Sequence, residues 1–257
     1  MDYLDRFAEE AQARIASGYY RVTVGVERER RSFVEAIAKA EGNAIIAELK
    51  PASPSAGELL GARKLEELAW LYRAGGAVGL SALTEPEHFR GSLEHLRAAS
   101  ELGLPVLMKD FILDPAQLEA CACLGGDCVL LILSLFRRGY STTGLGTMIA
   151  HAHQLGLEVL LEVASAEEFQ MAQRTDAEMI GLNSRDLATL EVDLDRTIAV
   201  LESVPRDDAK VIWALSGISS LEEVRRLRAV GAKAFLVGTA LMRADDPLKK
   251  LEELIRA

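Results

Sequence analysis

Short apolar runs alternate with amphipathic stretches along most of the chain. The runs are too short for helices and almost continuously apolar, which is typical of parallel strands that helices cover from outside. Between them, leucine and alanine recur at helical spacing among charged residues. Eight apolar runs follow this rule, at residues 44–50, 77–83, 105–111, 127–133, 157–163, 178–183, 210–216 and 234–241.

The amphipathic stretches carry recognisable helix starts. Asp114 stands before Pro115, the pattern of an N-cap followed by proline at the first helical position. Ser220 is followed three residues later by Glu223, which is a capping box. Strand-then-helix units repeated eight times at regular spacing predict an α/β fold, a (βα)8 TIM barrel, more readily than an open sheet.

The first part of the chain stands outside this repeat. Leu4 and Phe7, and later Phe33 and Ile37, recur at helical spacing, so the first ~40 residues are predicted to be helical. We therefore expect one barrel domain over residues 1–257, in which residues 1–42 form an N-terminal helical extension.

Composition narrows the class of partner. The formal net charge is −10 and no basic stripe is present, which argues against nucleic acid and a membrane surface. The charged N-terminus is neither a signal peptide nor a membrane span, so a cytoplasmic monomer is expected. Three cysteines lie close together without a histidine at ligand spacing, which favours small buried side chains and no metal site: Cys121, Cys123 and Cys128.

Polar residues mark the carboxyl ends of the predicted strands, where barrel enzymes place their active sites. Because side chains alternate along a strand, parity predicts which of them point inward. Charges that merely pair at the rim are the alternative, but so many buried charges exceed what barrel filling requires. The polar inward set is Glu48, Lys50, Ser81, Lys109, Glu162, Asn183 and Arg185, walled by Leu83, Phe111, Leu131, Leu133, Leu160, Trp213, Leu215, Leu236 and Gly238.

A glycine-containing turn, LSGIS, follows the seventh predicted strand. Barrel enzymes hold phosphate in such turns near the last strands, so Ser216 and Gly217 are predicted to lie on the rim and to contact a phosphate or sulfate.

Seven segments in order resemble the indole-3-glycerol phosphate synthase family: IAELKPASPSAG, GLSALTEPEHFRGS, LMKDFILD, LLEV, GLNSRDL, LSGIS and LVGTALMR. The resemblance covers nearly the whole chain. It implies a cofactor-independent lyase of tryptophan biosynthesis, which closes the ring of carboxyphenylamino-deoxyribulose phosphate with loss of CO₂ and then dehydrates it.

The same resemblance implies a role for each matching residue. Lys109 would be the general acid and Glu162 the general base, while Lys50 and Glu48 would hold and polarise the substrate. Asn183, Arg185 and Phe111 would contact its aromatic part. The phosphate would be contacted by Ser53, Gly217, Gly238 and Thr239.

Several positions depart from the family pattern. Leu215 stands where the family has a working glutamate, and Trp213 where it has a small aliphatic residue. Pro51, Ala56 and Arg90 replace a basic residue, a lysine and a substrate-side asparagine. Together these changes remove charge from one wall of the expected pocket.

We therefore expect an apolar slot beside Glu162, suited to proton abstraction from a flat aromatic molecule. The favoured hypothesis is an engineered or repurposed lyase, a designed enzyme of the Kemp eliminase type that opens a benzisoxazole. The alternatives are a working indole-3-glycerol phosphate synthase and an inactive barrel that binds a phosphorylated ligand. Residues assigned to the small aromatic substrate are Trp213, Leu215, Phe111, Leu133, Leu83, Asn183, Arg185 and Arg90.

Overall fold

Eight parallel strands close into a barrel in the computed structural model, which describes residues 2–26 and 28–256. Each predicted apolar run contains one barrel strand, so the predicted (βα)8 fold is confirmed. A short antiparallel hairpin follows the first barrel strand, and its strands β2 and β3 have two residues each. The strands are β1 (Ala44–Leu49), β2 (Ala52–Ser53), β3 (Gly57–Glu58), β4 (Gly79–Leu83), β5 (Val106–Lys109), β6 (Cys128–Ile132), β7 (Glu158–Val163), β8 (Met179–Asn183), β9 (Val211–Leu215) and β10 (Ala234–Val237).

Helices cover the outside of the barrel and precede it. Asp114 and Ser220 cap their helices as predicted, each with a reciprocal capping box. The helices are α1 (Tyr3–Ser17), α2 (Phe33–Ala38), α3 (Leu65–Ala74), α4 (Leu93–Ser100), α5 (Pro115–Cys123), α6 (Leu133–Arg137), α7 (Leu145–Gln154), α8 (Ala166–Ala172), α9 (Leu194–Ser203), α10 (Leu221–Ala229), α11 (Thr239–Arg243) and α12 (Pro247–Ile255).

The segment between α1 and α2 is not helical in its described residues, unlike the prediction. Gly18 ends α1 with φ +82°, a left-handed conformation that suits glycine. The following residues cross the bottom of the barrel instead. There Arg28 Nη2 lies 2.6 Å from Asp127 Oδ2, and the Arg31 N–H donates to the same carboxylate over 2.8 Å.

Five predicted strands extend beyond the observed strand ends, and two of them run into the following helix. The last one was expected to reach residue 241, but it ends at Val237 and α11 begins at Thr239. The fourth was expected to reach residue 133, but β6 ends at Ile132 and Leu133 already begins α6.

Apolar side chains form one layer inside the barrel and another between barrel and helices. Ile132 of β6 is in register with Glu162 of β7, and both point inward. Leu131 is in register with Leu161, and both lie in the outer layer. The inward set of β6 is therefore displaced by one residue from the one predicted by parity.

Within the described part of the chain, no helix combines the length and apolarity that a bilayer crossing requires.

Candidate active site

The carboxyl ends of the strands surround a cavity of about 400 Å³, which lies in the size range of small-molecule sites. We call it the main cavity. Its lining includes most of the polar residues proposed from sequence, together with several that were not. The lining residues used below are Glu48, Lys50, Ser55, Phe89, Lys109, Glu162, Asn183, Arg185, Leu187, Leu215, Ser216, Gly217, Ile218, Ser219, Leu236, Gly238, Thr239 and Arg243.

Glu162 lies at the centre of the charged side of the main cavity. Its Oε1 accepts a hydrogen bond from Asn183 Nδ2 over 2.7 Å, and its Oε2 lies 3.6 Å from Lys109 Nζ. The side chain is buried, and Oε2 has no hydrogen-bond partner among the described residues. A buried carboxylate oxygen without a partner beside an ammonium group is available to exchange protons with a ligand.

Glu48 and Lys50 form a second charged pair, with Lys50 Nζ 3.0 Å from Glu48 Oε1. Burial pushes the pKa of Glu48 upward, but the charges of Lys50 and Lys109 outweigh it and hold that pKa below its ordinary value. A Cβ on Gly238 would lie 2.5 Å from Glu48 Oε1. Glycine at this position therefore leaves room for the carboxylate.

Asn183 is fixed at both ends of its amide. Nδ2 donates to Glu162, and Oδ1 accepts from the Arg185 N–H over 2.9 Å. Arg185 Nη1 donates to the Leu190 carbonyl over 2.6 Å. Burial lowers the pKa of Arg185, partly offset by Glu48. These contacts fix Asn183 and the backbone of Arg185 beside Glu162, the candidate general base.

The opposite side of the main cavity is apolar. Leu215, Ile218 and Leu236 line it, and all three are buried, with exposed fractions of 1%, 5% and 6%. Leu215 lies over Gly181, where a Cβ would come within 2.6 Å of Leu215 Cδ1. The position that departs from the family pattern is therefore a closely packed wall residue.

The rim above this apolar side contains a turn with left-handed backbone. Ser216 and Gly217 have φ of +64° and +77°, and left-handed backbone at a non-glycine residue is a strain that proteins keep mainly at functional sites. Thr239 begins α11 at the same rim, and the exposed Arg243 from its last turn also lines the cavity. Arg243 was missed from sequence, although it ends the motif LVGTALMR.

A smaller aromatic cavity of about 50 Å³ adjoins the main one between Phe111 and Phe89. Lys50 Nζ lies 5.5 Å from the Phe89 ring centroid. Phe7 of α1 stacks on Phe111 with centroids 4.7 Å apart. Ser53 lines this aromatic cavity rather than the main one, and its hydroxyl accepts from the Ala56 N–H.

Neither Phe7 nor Phe89 was predicted to lie at the site. Phe7 was counted only as part of a helical pattern, and Phe89 lies in a loop after β4 whose motif was noted without a role for it.

Trp213 does not line the main cavity, contrary to expectation. It is fully buried inside the barrel, one layer below Leu215, with its ring edge-on to Phe33 at 5.2 Å. Phe33 enters from the N-terminal extension and occupies the space beside Gly79. Trp213 therefore fills the core, and the expected stacking slot is absent from the described structure.

Three other assigned substrate contacts line neither the main cavity nor the aromatic cavity. Leu133 packs in the outer layer, as Leu131 does, because Ile132 is the inward residue of β6. Leu83 is buried, and its carbonyl accepts from Ser92 N, so the loop after β4 covers it. Arg90 is exposed, and its Nη1 pairs with Glu58 at 2.9 Å.

Comparisons with known proteins agree with the resemblance. The family model for indole-3-glycerol phosphate synthase matches residues 4–254. The indole-3-glycerol phosphate synthase of Methanopyrus kandleri is 43% identical over 219 residues, covering 84% of this chain and 84% of that protein. That of Thermococcus kodakarensis is 43% identical over 226 residues, covering 86% and 95%.

Solved structures support the fold alone. A thiamine phosphate pyrophosphorylase from Pyrococcus furiosus aligns with a TM-score of 0.59 at 19% identity, covering 82% of this chain and 92% of that one.

These matches contradict the favoured hypothesis from sequence. A match over residues 4–254 and relatives at about 40% identity support the synthase alternative, and they give no support for a Kemp eliminase or a designed enzyme. That hypothesis gave too much weight to Leu215 and Trp213. One is a packed wall residue and the other lies below the cavity.

Proposed function

Because this chain belongs to the indole-3-glycerol phosphate synthase family, we propose that it is a cofactor-independent lyase that makes indole-3-glycerol phosphate. Its substrate would be carboxyphenylamino-deoxyribulose phosphate, a phosphorylated aromatic compound. The observation that carries the proposal is the pair of Lys109 and Glu162, 3.6 Å apart in the main cavity of a chain that matches the family over residues 4–254.

The charged side would carry out the chemistry. Lys109 protonates the ketone oxygen while the aromatic carbon attacks the ketone carbon, and CO₂ then leaves. Glu162, held by Asn183, takes a proton during dehydration. Glu48 and Lys50 hold and polarise the hydroxylated chain of the substrate, and their mutual contact keeps both in place.

The aromatic ring and the phosphate of the substrate would bind away from the charged side, in the aromatic cavity and at the rim. The aromatic cavity beside Phe111 and Phe89 suits the carboxyphenyl ring. The phosphate suits the rim where α11 begins, with Arg243 supplying positive charge. That rim contains Ser216, Gly217, Gly238 and Thr239.

Leu215 does not prevent this chemistry. It has no ionisable group, but the acid and base that the reaction needs lie on the other side of the main cavity. Leucine has nearly the length of glutamate, so the shape of the wall over Gly181 is kept. What is lost is one polar contact to the substrate, which we expect to lower the rate without abolishing it.

Growth complementation tests the proposal. The chain is expressed in a tryptophan-requiring bacterium that lacks its own synthase, beside Lys109→Met as an inactive control. Growth with the unmodified chain and none with the control is expected. Failure of both, with folded protein present in the cells, would favour the inactive phosphate-binding barrel.

A further inference from the structure

A second chamber adjoins Glu162 on the side away from the phosphate rim. Its volume is about 380 Å³, which leaves room for several water molecules. It lies between the ends of β6, β7 and β8 and the start of α1. Its lining includes Leu4, Ile132, Ala164, Glu168, Asp186, Ala188 and Arg196.

Among the described residues, Glu162 is the one ionisable side chain that lines both the main cavity and the second chamber. Leu187 also lines both, and Ile132 lies between the second chamber and the aromatic cavity. The outer end of the chamber carries half-exposed charges, with the Asp186 and Arg196 side chains 39% and 34% exposed. Glu162 therefore lies between the main cavity and a chamber whose outer end is open to solvent.

The proposed reaction needs access to solvent, because it consumes a proton. The substrate anion plus H⁺ gives the indole product, CO₂ and water. The ketone oxygen gains two protons before it leaves as water. One of them is balanced by the proton that Glu162 removes from the methylene carbon next to the nitrogen, and the other must come from solvent.

Resting on the proposed function, we propose that the second chamber delivers this solvent proton while substrate occupies the main cavity. Lys109 protonates the ketone oxygen during ring closure and becomes neutral. A proton from chamber water then passes through Glu162 to Lys109, which lies 3.6 Å away. Lys109 uses it to expel the hydroxyl as water, and the methylene proton taken by Glu162 restores Lys109.

Narrowing the chamber tests this route. Ala188→Leu and, independently, Ala164→Leu place branched side chains where two half-buried alanines line the second chamber but not the main cavity. Thr189→Leu adds leucine one residue away at an exposed position, and Ala188→Ser keeps the chamber open. In a single turnover, CO₂ release reports ring closure and indole fluorescence reports dehydration.

The expected result is a delay of indole formation behind CO₂ release in both chamber variants. We expect kcat to fall roughly threefold to tenfold at unchanged KM, corresponding to slower dehydration. Deuterated solvent should lengthen the delay, while Thr189→Leu and Ala188→Ser behave as the unmodified chain.

Other outcomes would overturn the inference. If CO₂ and indole appear together at the unmodified rate in both narrowed variants, the chamber carries no proton. If only KM rises, the chamber is an extension of the substrate site. An unmodified chain that releases no CO₂ from the substrate would overturn the proposed function itself, and the proton route with it.

Discussion

The two sides of the main cavity are built on opposite principles. One side has two groups of charged and hydrogen-bonded contacts, Glu48 with Lys50, and Glu162 with Lys109 and Asn183. On the other, leucine and isoleucine side chains make a closely packed wall beneath a turn with left-handed backbone at Ser216 and Gly217. The residues proposed for acid–base catalysis therefore lie together on one side, and they do not require charge on the opposite wall.

Glu162→Gln should have the largest effect, because it removes the base and keeps the size of the side chain. We expect kcat to fall by about 10²–10⁴-fold with little change in KM. Steady-state indole formation measures it. Glu167→Gln, at an exposed carboxylate in α8 that pairs with Arg137 at the surface, is the control and should be neutral. If Glu162→Gln is as active as Glu167→Gln, Glu162 is not the general base.

Two exposed arginines test the proposed phosphate position at the rim. Arg243 lines the main cavity and Arg90 does not. Arg243→Met should raise KM by roughly tenfold or more, the value of a charged hydrogen bond to phosphate. Arg90→Met should leave KM unchanged, since it loses only a surface ion pair. Competitive inhibition by inorganic phosphate should weaken in Arg243→Met and stay unchanged in Arg90→Met. A reversed order would move the phosphate to the loop after β4.

Leu215→Glu places a carboxylate on the apolar side and so makes the two sides of the main cavity more alike. We expect kcat/KM to rise by about tenfold through one recovered polar contact. Leu215→Met keeps the wall apolar at similar volume and should remain near the parent value. A fall in kcat/KM with Glu, in a protein that still folds, would mean that the apolar wall has become necessary.

The smallest effect concerns stability at acid pH. The pKa of Glu48 is held below its ordinary value of 4.5, so its ionised form stabilises the fold above that pH. This contribution is lost as pH falls through the folded-state pKa. Urea unfolding between about pH 5 and pH 3 should therefore show a shallower loss of stability in Glu48→Gln than in the unmodified chain. Parallel slopes would contradict the lowered pKa.

Local patterns predicted most of the barrel. Apolar runs identified all eight barrel strands, and Asp114 and Ser220 marked helix starts, because these signals depend on neighbours in sequence. Side-chain direction was less secure. Leu130 and Ile132 are the inward residues of β6, so a parity error of one residue placed Leu131 and Leu133 on the wrong face.

The depth of a residue inside the barrel could not be predicted from sequence. Trp213 and Leu215 share a face of β9, yet Leu215 lines the main cavity while Trp213 lies one layer deeper and packs against Phe33 of the N-terminal extension. Phe7, which also belongs to the N-terminal extension, lines the aromatic cavity. Both contacts join segments far apart in the chain.

Turnover of carboxyphenylamino-deoxyribulose phosphate by the purified, unmodified chain tests the central claim most directly. Indole fluorescence follows the product. The account predicts turnover with kcat/KM of at least about 10⁴ M⁻¹ s⁻¹, the lower end for ordinary enzymes, despite Leu215. A folded protein that binds phosphate but forms no indole would contradict it, and would mean that charge on one side of the cavity is not enough.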